Sequence, residues 1–178
     1  MLELAMHVLD IVENSVRAGA DEVVVRVEED EPENHFEIQI IDNGRGMSHT
    51  MSEKALDPFT TTKKGKRVGL GLSLLREAAE RCNGSMTVES RLGEGTLVTA
   101  AFERNHIDRQ PLGDMTETMM MLIIGNPDVD FQLVYRRDGS EWSWDTGMIR
   151  ERYGALFRSH PEVQAFIREG LHFIRTAA

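Results

Sequence analysis

The stretch Phe36-Glu37-Ile38-Gln39-Ile40-Ile41-Asp42-Asn43-Gly44-Arg45-Gly46-Met47 is an alternating apolar run that ends in a carboxylate and two glycines. Alternation with a period of two predicts a strand with one buried face. Glycine permits backbone turns and close ligand approach that a side chain would block, so the run can deliver one fixed acid to the mouth of a pocket. Taken alone, the pattern favours an ordinary turn at the end of a strand.

A helix with two polar oxygens is predicted ahead of this strand. Apolar residues recur at helical spacing between Val8 and Val16, and Gly19 is placed to end the helix. Asp10 and Asn14 then lie one turn apart on a single face. A carboxylate and an amide oxygen so placed can hold a hard cation and orient a water or hydroxyl. The alternative is a polar stripe on a surface helix.

Two later segments suit an anionic ligand. Residues 57–67 are rich in hydroxyls and then strongly basic, in a chain whose net charge is -10. Gly69 and Gly71 open an amphipathic helix that continues to Arg81, and a helix start presents free N–H groups and a positive dipole end to a phosphate. The alternatives are an exposed basic loop and a helix start that binds nothing.

In this order, the segments resemble the motifs of the GHKL ATPase superfamily, which includes histidine kinases, anti-sigma-factor kinases, gyrase and MutL-type mismatch-repair ATPases. The similar motifs are the N box (Asp10 to Arg17), the first glycine box (Asp42 to Gly46), the F-box region and lid (Phe59 to Lys63), the second glycine box (Gly69 to Leu72) and the final Gly-x-Gly-Thr element (Gly93 to Thr96). The resemblance covers Leu2 to Phe102.

The resemblance implies an α+β protein with the Bergerat-type ATP-binding fold, a two-layer α/β sandwich, that binds ATP and Mg²⁺. Asp42 would accept a hydrogen bond from the adenine amino group, with Thr96 supporting that contact directly or through water. Asn14 would coordinate Mg²⁺, and Asp10 would be the catalytic base. The implied nucleotide-binding residues are Asn14, Arg17, Asp42, Gly44, Gly46, Met47, Lys63, Gly69, Leu70, Gly71, Leu72 and Thr96.

Two positions depart from the superfamily's pattern. Asp10 stands where hydrolysing members usually carry Glu and sensor kinases usually carry Asn, and its shorter arm holds an attacking group less well. Arg67-Val68 replaces the Gly-Thr that related short-lid kinases tend to have, which stiffens the lid and removes a hydroxyl. The departures favour ATP binding over rapid turnover.

The composition of the chain limits the classes of protein to which it can belong. The chain has 178 residues, of which 28% are charged, as in a soluble globular protein. Cys82 is a single cysteine and suits a reducing cytoplasm. Met1 begins no signal peptide, no apolar stretch approaches membrane-spanning length, and the acidic balance argues against a nucleic-acid groove. We therefore expect a cytoplasmic protein with a protein partner, neither nucleic acid nor membrane as a partner, and a possible homodimer.

The chain is predicted to divide into an ATP-binding domain, 1–104, and a C-terminal extension, 105–178. The first domain should be an open sheet with helices on one side, made of helices 2–18, 50–56 and 70–81 and strands 22–28, 36–41, 85–90 and 96–103. The extension should contain a helix capped by Asp114, a hairpin turning at 137–140, and helices 146–156 and 161–174. It should pack on the first domain or on a partner.

Two clusters in the extension admit two interpretations each. Trp142 and Trp144 lie on one face of a strand, and the general tendency of large aromatics favours core over a recognition platform. Met119, Met120 and Met121 are interpreted as core filler, with an adaptable partner groove as the alternative.

Two functions remain open. The first is a protein kinase in signalling that passes the γ-phosphoryl group to a His or Ser of a separate protein, because the sequence lacks the hairpin that carries the phosphoacceptor histidine of sensor kinases. His7 is interpreted as a plain helix histidine. The second is an ATP-operated regulatory or assembly switch with slow or no hydrolysis. For such a switch, an association with a redox enzyme complex is implied by the resemblance alone.

Overall fold

The alternating and amphipathic stretches form twelve elements in the computed structural model, which describes residues 3–55, 71–154 and 162–171. In chain order they are α1 (Leu4–Arg17), β1 (Glu22–Asp30), β2 (His35–Asp42), α2 (His49–Ala55), α3 (Gly71–Arg81), β3 (Ser85–Arg91), β4 (Gly95–Glu103), α4 (Met115–Gly125), β5 (Asp130–Arg137), β6 (Ser140–Asp145), α5 (Gly147–Tyr153) and α6 (Val163–Gly170).

The strands form one mixed sheet in the order β3-β4-β2-β1-β5-β6. Every neighbouring pair is antiparallel except β1 and β5, which are parallel. On β2, Phe36, Ile38 and Ile40 are buried while the residues between them are partly exposed, so one face of the strand carries the core. This α+β arrangement confirms the fold class expected from the sequence.

The helix layer packs on that buried face. α1 contacts both α3 and α4, and its buried stripe includes Leu4, Val8, Ile11 and Val12. The backbone N–H groups of Leu4 and Ala5 donate to the carbonyl oxygens of Pro111 and Leu112, at 3.0 and 2.8 Å. The segment after β4 therefore satisfies the free donors at the start of α1.

The residues after Glu103 continue the same sheet. β5 runs beside β1 with Val25 opposite Leu133, and α4 packs against α1 and α6. The Asp114 side chain accepts a 2.9 Å hydrogen bond from the Glu117 backbone, which confirms the predicted helix cap. The predicted hairpin turn is also confirmed, since Asp138 and Gly139 both have positive φ, 47° and 81°, as a two-residue turn between twisted strands requires.

Element ends differ from the predictions where tertiary contacts decide them. β1 extends to Asp30 and β2 begins at His35, because these two residues pair across the hairpin. Glu29, which lies just beyond the predicted strand 22–28, accepts hydrogen bonds from the Tyr135 hydroxyl at 2.7 Å and from Arg104 at 3.2 Å. These partners make a charged residue tolerable within the strand. The outer ends of the two predicted C-terminal helices lie outside the described residues.

The interpretation of the aromatic and methionine clusters as core is wrong for one member of each. Trp144 is buried, beneath Gly170 of α6, where an added Cβ would overlap the indole nitrogen. Trp142 is 37% exposed, because it lies on the edge strand β6, where its ring is tilted against the Tyr135 ring with the centroids 6.1 Å apart. Met121 is 51% exposed, since three consecutive residues of a helix cannot all face one core.

No helix in the described part of the chain combines the length and the apolar character needed to cross a lipid bilayer.

Candidate functional site

Asp42 is the last residue of β2 and lies nearly buried beneath α1. Its Oδ2 accepts a 2.6 Å hydrogen bond from the Ser15 hydroxyl, and its Oδ1 accepts one of 2.9 Å from the Gly44 backbone N–H. Each carboxylate oxygen therefore has one fixed donor and keeps a lone pair for another. The side chain is held in one orientation and can accept a further hydrogen bond from a ligand.

A row of polar side chains continues from Asp42 across the sheet. Asp42 is opposite Thr96 of β4, and Thr96 is opposite Ser90 of β3, so the three side chains stand on one face. The hydroxyls of Ser90 and Thr96 are 2.9 Å apart. Ser90 also accepts from the Met47 backbone N–H at 2.8 Å and donates to the Gly95 carbonyl oxygen at 2.9 Å. The row fixes the loop after β2 to the edge of the sheet.

Glycines at this end of the sheet allow two backbones to touch. A Cβ on Gly46 would overlap the carbonyl oxygen of Arg91, and a Cβ on Gly95 would overlap that of Asp42. Gly46 and Gly95 also have positive φ, 61° and 102°. Gly44 is less crowded, since its Cβ would lie 3.0 Å from Asp42 Oδ1. The glycines therefore hold the Asp42 loop and the β3–β4 turn in contact.

The polar face of α1 meets the start of α3. The Asp10 carboxylate lies so close to Gly71, the first residue of α3, that a Cβ there would overlap Oδ2. Asn14 Oδ1 accepts a 2.8 Å hydrogen bond from Arg17, whose guanidinium also donates to Glu13 at 3.3 Å. Asp10 therefore lies where the N-terminal dipole of α3 favours negative charge.

Only some of the remaining predicted site residues are found near the site. Met47 joins the site through its backbone, and Leu72 packs partly buried against the hydrophobic core. Lys63, Gly69 and Leu70 lie outside the described residues. The predicted F-box region and lid, Phe59 to Lys63, also lies outside them.

A cleft of about 550 Å³ opens beside the polar row. Its lining includes Asp42, Ser90 and Thr96 from the sheet and His49 and Ser52 from α2. Its lining presents carboxylate and hydroxyl oxygens beside apolar side chains such as Val88 and Leu97. This surface can bind the amino edge of a heterocycle through hydrogen-bond acceptors.

Sequence reasoning did not single out Ser15 and Ser90. Ser15 follows Asn14 directly, and the helical period places it one turn from buried Ile11, which is a signal for a buried hydroxyl that needs a partner. Ser90 gives no such signal, because a serine near the end of a strand is common. Only the register of β3, β4 and β2 brings Ser90 to the site.

Parts of this chain are similar in sequence to sensor proteins. The C4-dicarboxylate transport sensor protein DctS of Rhodobacter capsulatus is 37% identical over 62 residues, 35% of this chain and 9% of that protein. The sensor histidine kinase ZraS of Escherichia coli is 26% identical over 110 residues, 62% of this chain and 23% of that protein. The chain thus spans less than a quarter of the length of these relatives.

A crystal structure of the N-terminal domain of a DNA repair protein shares the fold, with a TM-score of 0.56 and 17% identity, over 88% of this chain and 58% of that one. The family model for histidine kinase-, DNA gyrase B- and HSP90-like ATPases matches residues 2–106, which contain α1, the glycine turns and the polar row from Asp42 to Ser90. The chain therefore belongs to this ATPase family and is homologous to the catalytic domains of sensor histidine kinases.

Proposed function

We propose that this protein binds ATP with Mg²⁺ in the cleft beside Asp42 and acts as a protein kinase in signalling, passing the γ-phosphoryl group to a His or Ser of a separate protein. The observation that carries the proposal is the nearly buried Asp42 carboxylate, held by Ser15 and Gly44, with a lone pair left on each oxygen for a ligand. Family membership and the sensor kinases among the relatives support the same function. A cytoplasmic location and a homodimer stay predictions.

The base would bind at Asp42 and Thr96. An adenine amino group has two N–H donors, which match a carboxylate and a neighbouring hydroxyl oxygen. The phosphates would then extend along α1 towards the start of α3, whose free N–H groups and dipole attract anions. Asp10 occupies that position in the structure and would move aside to orient the acceptor hydroxyl or take its proton.

Asn14 fits the role of a magnesium ligand. Mg²⁺ is commonly held by one or two protein oxygens together with substrate phosphates and water, and Asn14 supplies an amide oxygen on the face of α1 that carries Asp10. Bound Mg²⁺ would neutralise charge on the phosphates. Arg17 now donates to that oxygen from a half-exposed position, and it would turn towards the phosphates when the ion binds.

A second candidate is a switch operated by ATP occupancy, with slow or no hydrolysis. The observation that favours it is the attachment of the C-terminal elements to the candidate site, since α4 packs on α1 and β5 pairs with β1. A shift of α1 on nucleotide binding would be transmitted directly to α4. The short arm of Asp10 also favours slow turnover.

Incubation with γ-labelled ATP and Mg²⁺, alone and with cell extract, separates the two candidates. A kinase transfers label to another protein, whereas a switch binds ATP without modifying a protein. Asp10→Asn should abolish hydrolysis and phosphorylation of serine while leaving ATP affinity within about twofold, because Asn has nearly the same shape but cannot accept a proton at neutral pH. Unchanged hydrolysis in Asp10→Asn would contradict the role of Asp10.

A further inference from the structure

We propose that Ser90 sets the direction of the hydrogen bonds in the polar row that lines the cleft, so that Thr96 and Asp42 both present only acceptors to the bound base. Ser90 would thereby make the site prefer a 6-amino purine over a 6-oxo purine. The inference rests on the proposed binding of ATP in this cleft. It adds a specificity-determining residue that does not itself touch the base.

The first step is the count of hydrogen-bond partners around the Ser90 hydroxyl. A serine hydroxyl has one proton to donate and two lone pairs to accept with. The Met47 backbone N–H can only donate, so it uses one lone pair, at 2.8 Å. The Gly95 carbonyl oxygen can only accept, so it takes the single proton, at 2.9 Å. One lone pair of Ser90 remains.

The second step fixes Thr96. Its hydroxyl oxygen lies 2.9 Å from Ser90 Oγ, and Ser90 has no second proton to give. Thr96 therefore donates its own proton to Ser90. Both lone pairs of Thr96 Oγ1 are left free to accept. Without Ser90, the Thr96 hydroxyl would rotate freely and could offer either a proton or a lone pair.

The third step adds Asp42, which is opposite Thr96 in the strand register. An ionised carboxylate accepts and cannot donate, and its two existing partners are the donors Ser15 and Gly44. Asp42 and Thr96 thus present a pair of adjacent acceptors to the cleft that they line. A 6-amino group supplies two protons to such a pair, whereas a 6-oxo group brings lone pairs against lone pairs.

The test is the ratio of affinities for Mg-ATP and Mg-ITP, measured by calorimetry. The wild type should bind ATP more tightly than ITP. Ser90→Ala should lower the ATP-to-ITP preference about threefold to tenfold, the range expected for one hydrogen bond, because Thr96 can then donate to the 6-oxo group of hypoxanthine. Ser90→Thr keeps the hydroxyl and should restore the preference. Ser85→Ala, at the exposed start of the same strand, is the matched control and should match the wild type.

A double variant tests the route through Thr96. In a Thr96→Val background, Ser90→Ala should change the preference by less than about twofold, because no hydroxyl remains to be turned. If Ser90→Ala does not fold, Ser90→Cys replaces it, and its sulfur, a weaker acceptor for the Thr96 proton, should lower the preference partially. An unchanged preference in Ser90→Ala or Ser90→Cys with Thr96 intact, together with normal ATP binding by the wild type, overturns the role of Ser90 alone. Absence of ATP binding by the wild type overturns the proposed function as well.

Discussion

The hydroxyl of Ser15 donates a 2.6 Å hydrogen bond to Oδ2 of Asp42, joining α1 to the end of β2 across 27 positions of the chain. Both residues are buried, at 4% and 9% exposure. The bond sets the position of the carboxylate before any ligand arrives. The helix that carries the predicted phosphate and metal groups is thereby coupled to the predicted base-binding acid.

Removing this donor should weaken ATP binding. A hydrogen bond to a charged acceptor contributes about 1.5–3 kcal/mol, so Ser15→Ala should raise the ATP Kd by about tenfold or more. Calorimetry measures the loss. Ser143→Ala, an exposed serine on β6, is the control and should leave the Kd unchanged. An ATP affinity in Ser15→Ala equal to that of the wild type would contradict a positioning role for Ser15.

The close contact between Gly71 and Asp10 predicts that ATP hydrolysis depends on the glycine. A Cβ at position 71 would overlap Asp10 Oδ2, so Gly71→Ala should displace the carboxylate and reduce ATP hydrolysis. Overpacking of this kind costs about 1–3 kcal/mol of stability. Gly125→Ala is the matched control, because a Cβ at the end of α4 meets nothing within 4 Å. Equal hydrolysis rates in the two variants would show that Asp10 does not depend on the glycine.

Substitutions at two glycines with positive φ distinguish the destabilisation caused by backbone strain from that caused by a steric clash. Gly93, with φ 79°, has open space around a Cβ, so Gly93→Ala should cost only about 1–2 kcal/mol of conformational strain. Gly46, with φ 61°, lies against the Arg91 carbonyl, so Gly46→Ala adds a clash to the strain. Urea unfolding should show the larger loss for Gly46→Ala. A smaller loss at Gly46 than at Gly93 would contradict the close contact.

Because His7 is buried, we expect the protein to lose stability in mild acid. It is 2% exposed, its Nε2 lies 3.1 Å from Gln110 Oε1, and burial lowers its pKa below the usual 6.5. The unfolded chain then binds more protons than the folded one as the pH falls below about 6.5, so stability present above that pH is lost below it. His7→Gln should flatten the dependence of the urea midpoint on pH between about 7 and 5. If the urea midpoint of His7→Gln depends on pH as steeply as that of the wild type, groups other than His7 cause the dependence.

Much of the site was predictable because its signals are local. Patterns of consecutive residues predict three parts of the site. These are the strand that ends in Asp42, the helix with Asp10 and Asn14, and the glycine turns. The place of Ser90 was not predictable in the same way. Ser90 reaches the site only through strand register, and the sequence does not specify that register by itself.

Strand pairing also limited what the sequence could predict about the C-terminal strands. The β5–β6 hairpin was predictable from its Asp138-Gly139 turn. Its parallel pairing with β1 was not, because the two strands are far apart in the chain and each has an ordinary alternating pattern. The exposure of Trp142 follows from this placement, since β6 becomes the edge of the sheet.

The most direct test of the central claim is calorimetric titration of the wild type and Asp42→Ala with ATP at saturating Mg²⁺. We predict that the wild type binds ATP and that Asp42→Ala loses at least about tenfold in affinity, because the base loses its charged acceptor. No heat from the wild type with ATP, or the same affinity in both proteins, would contradict the assignment of the pocket to Asp42.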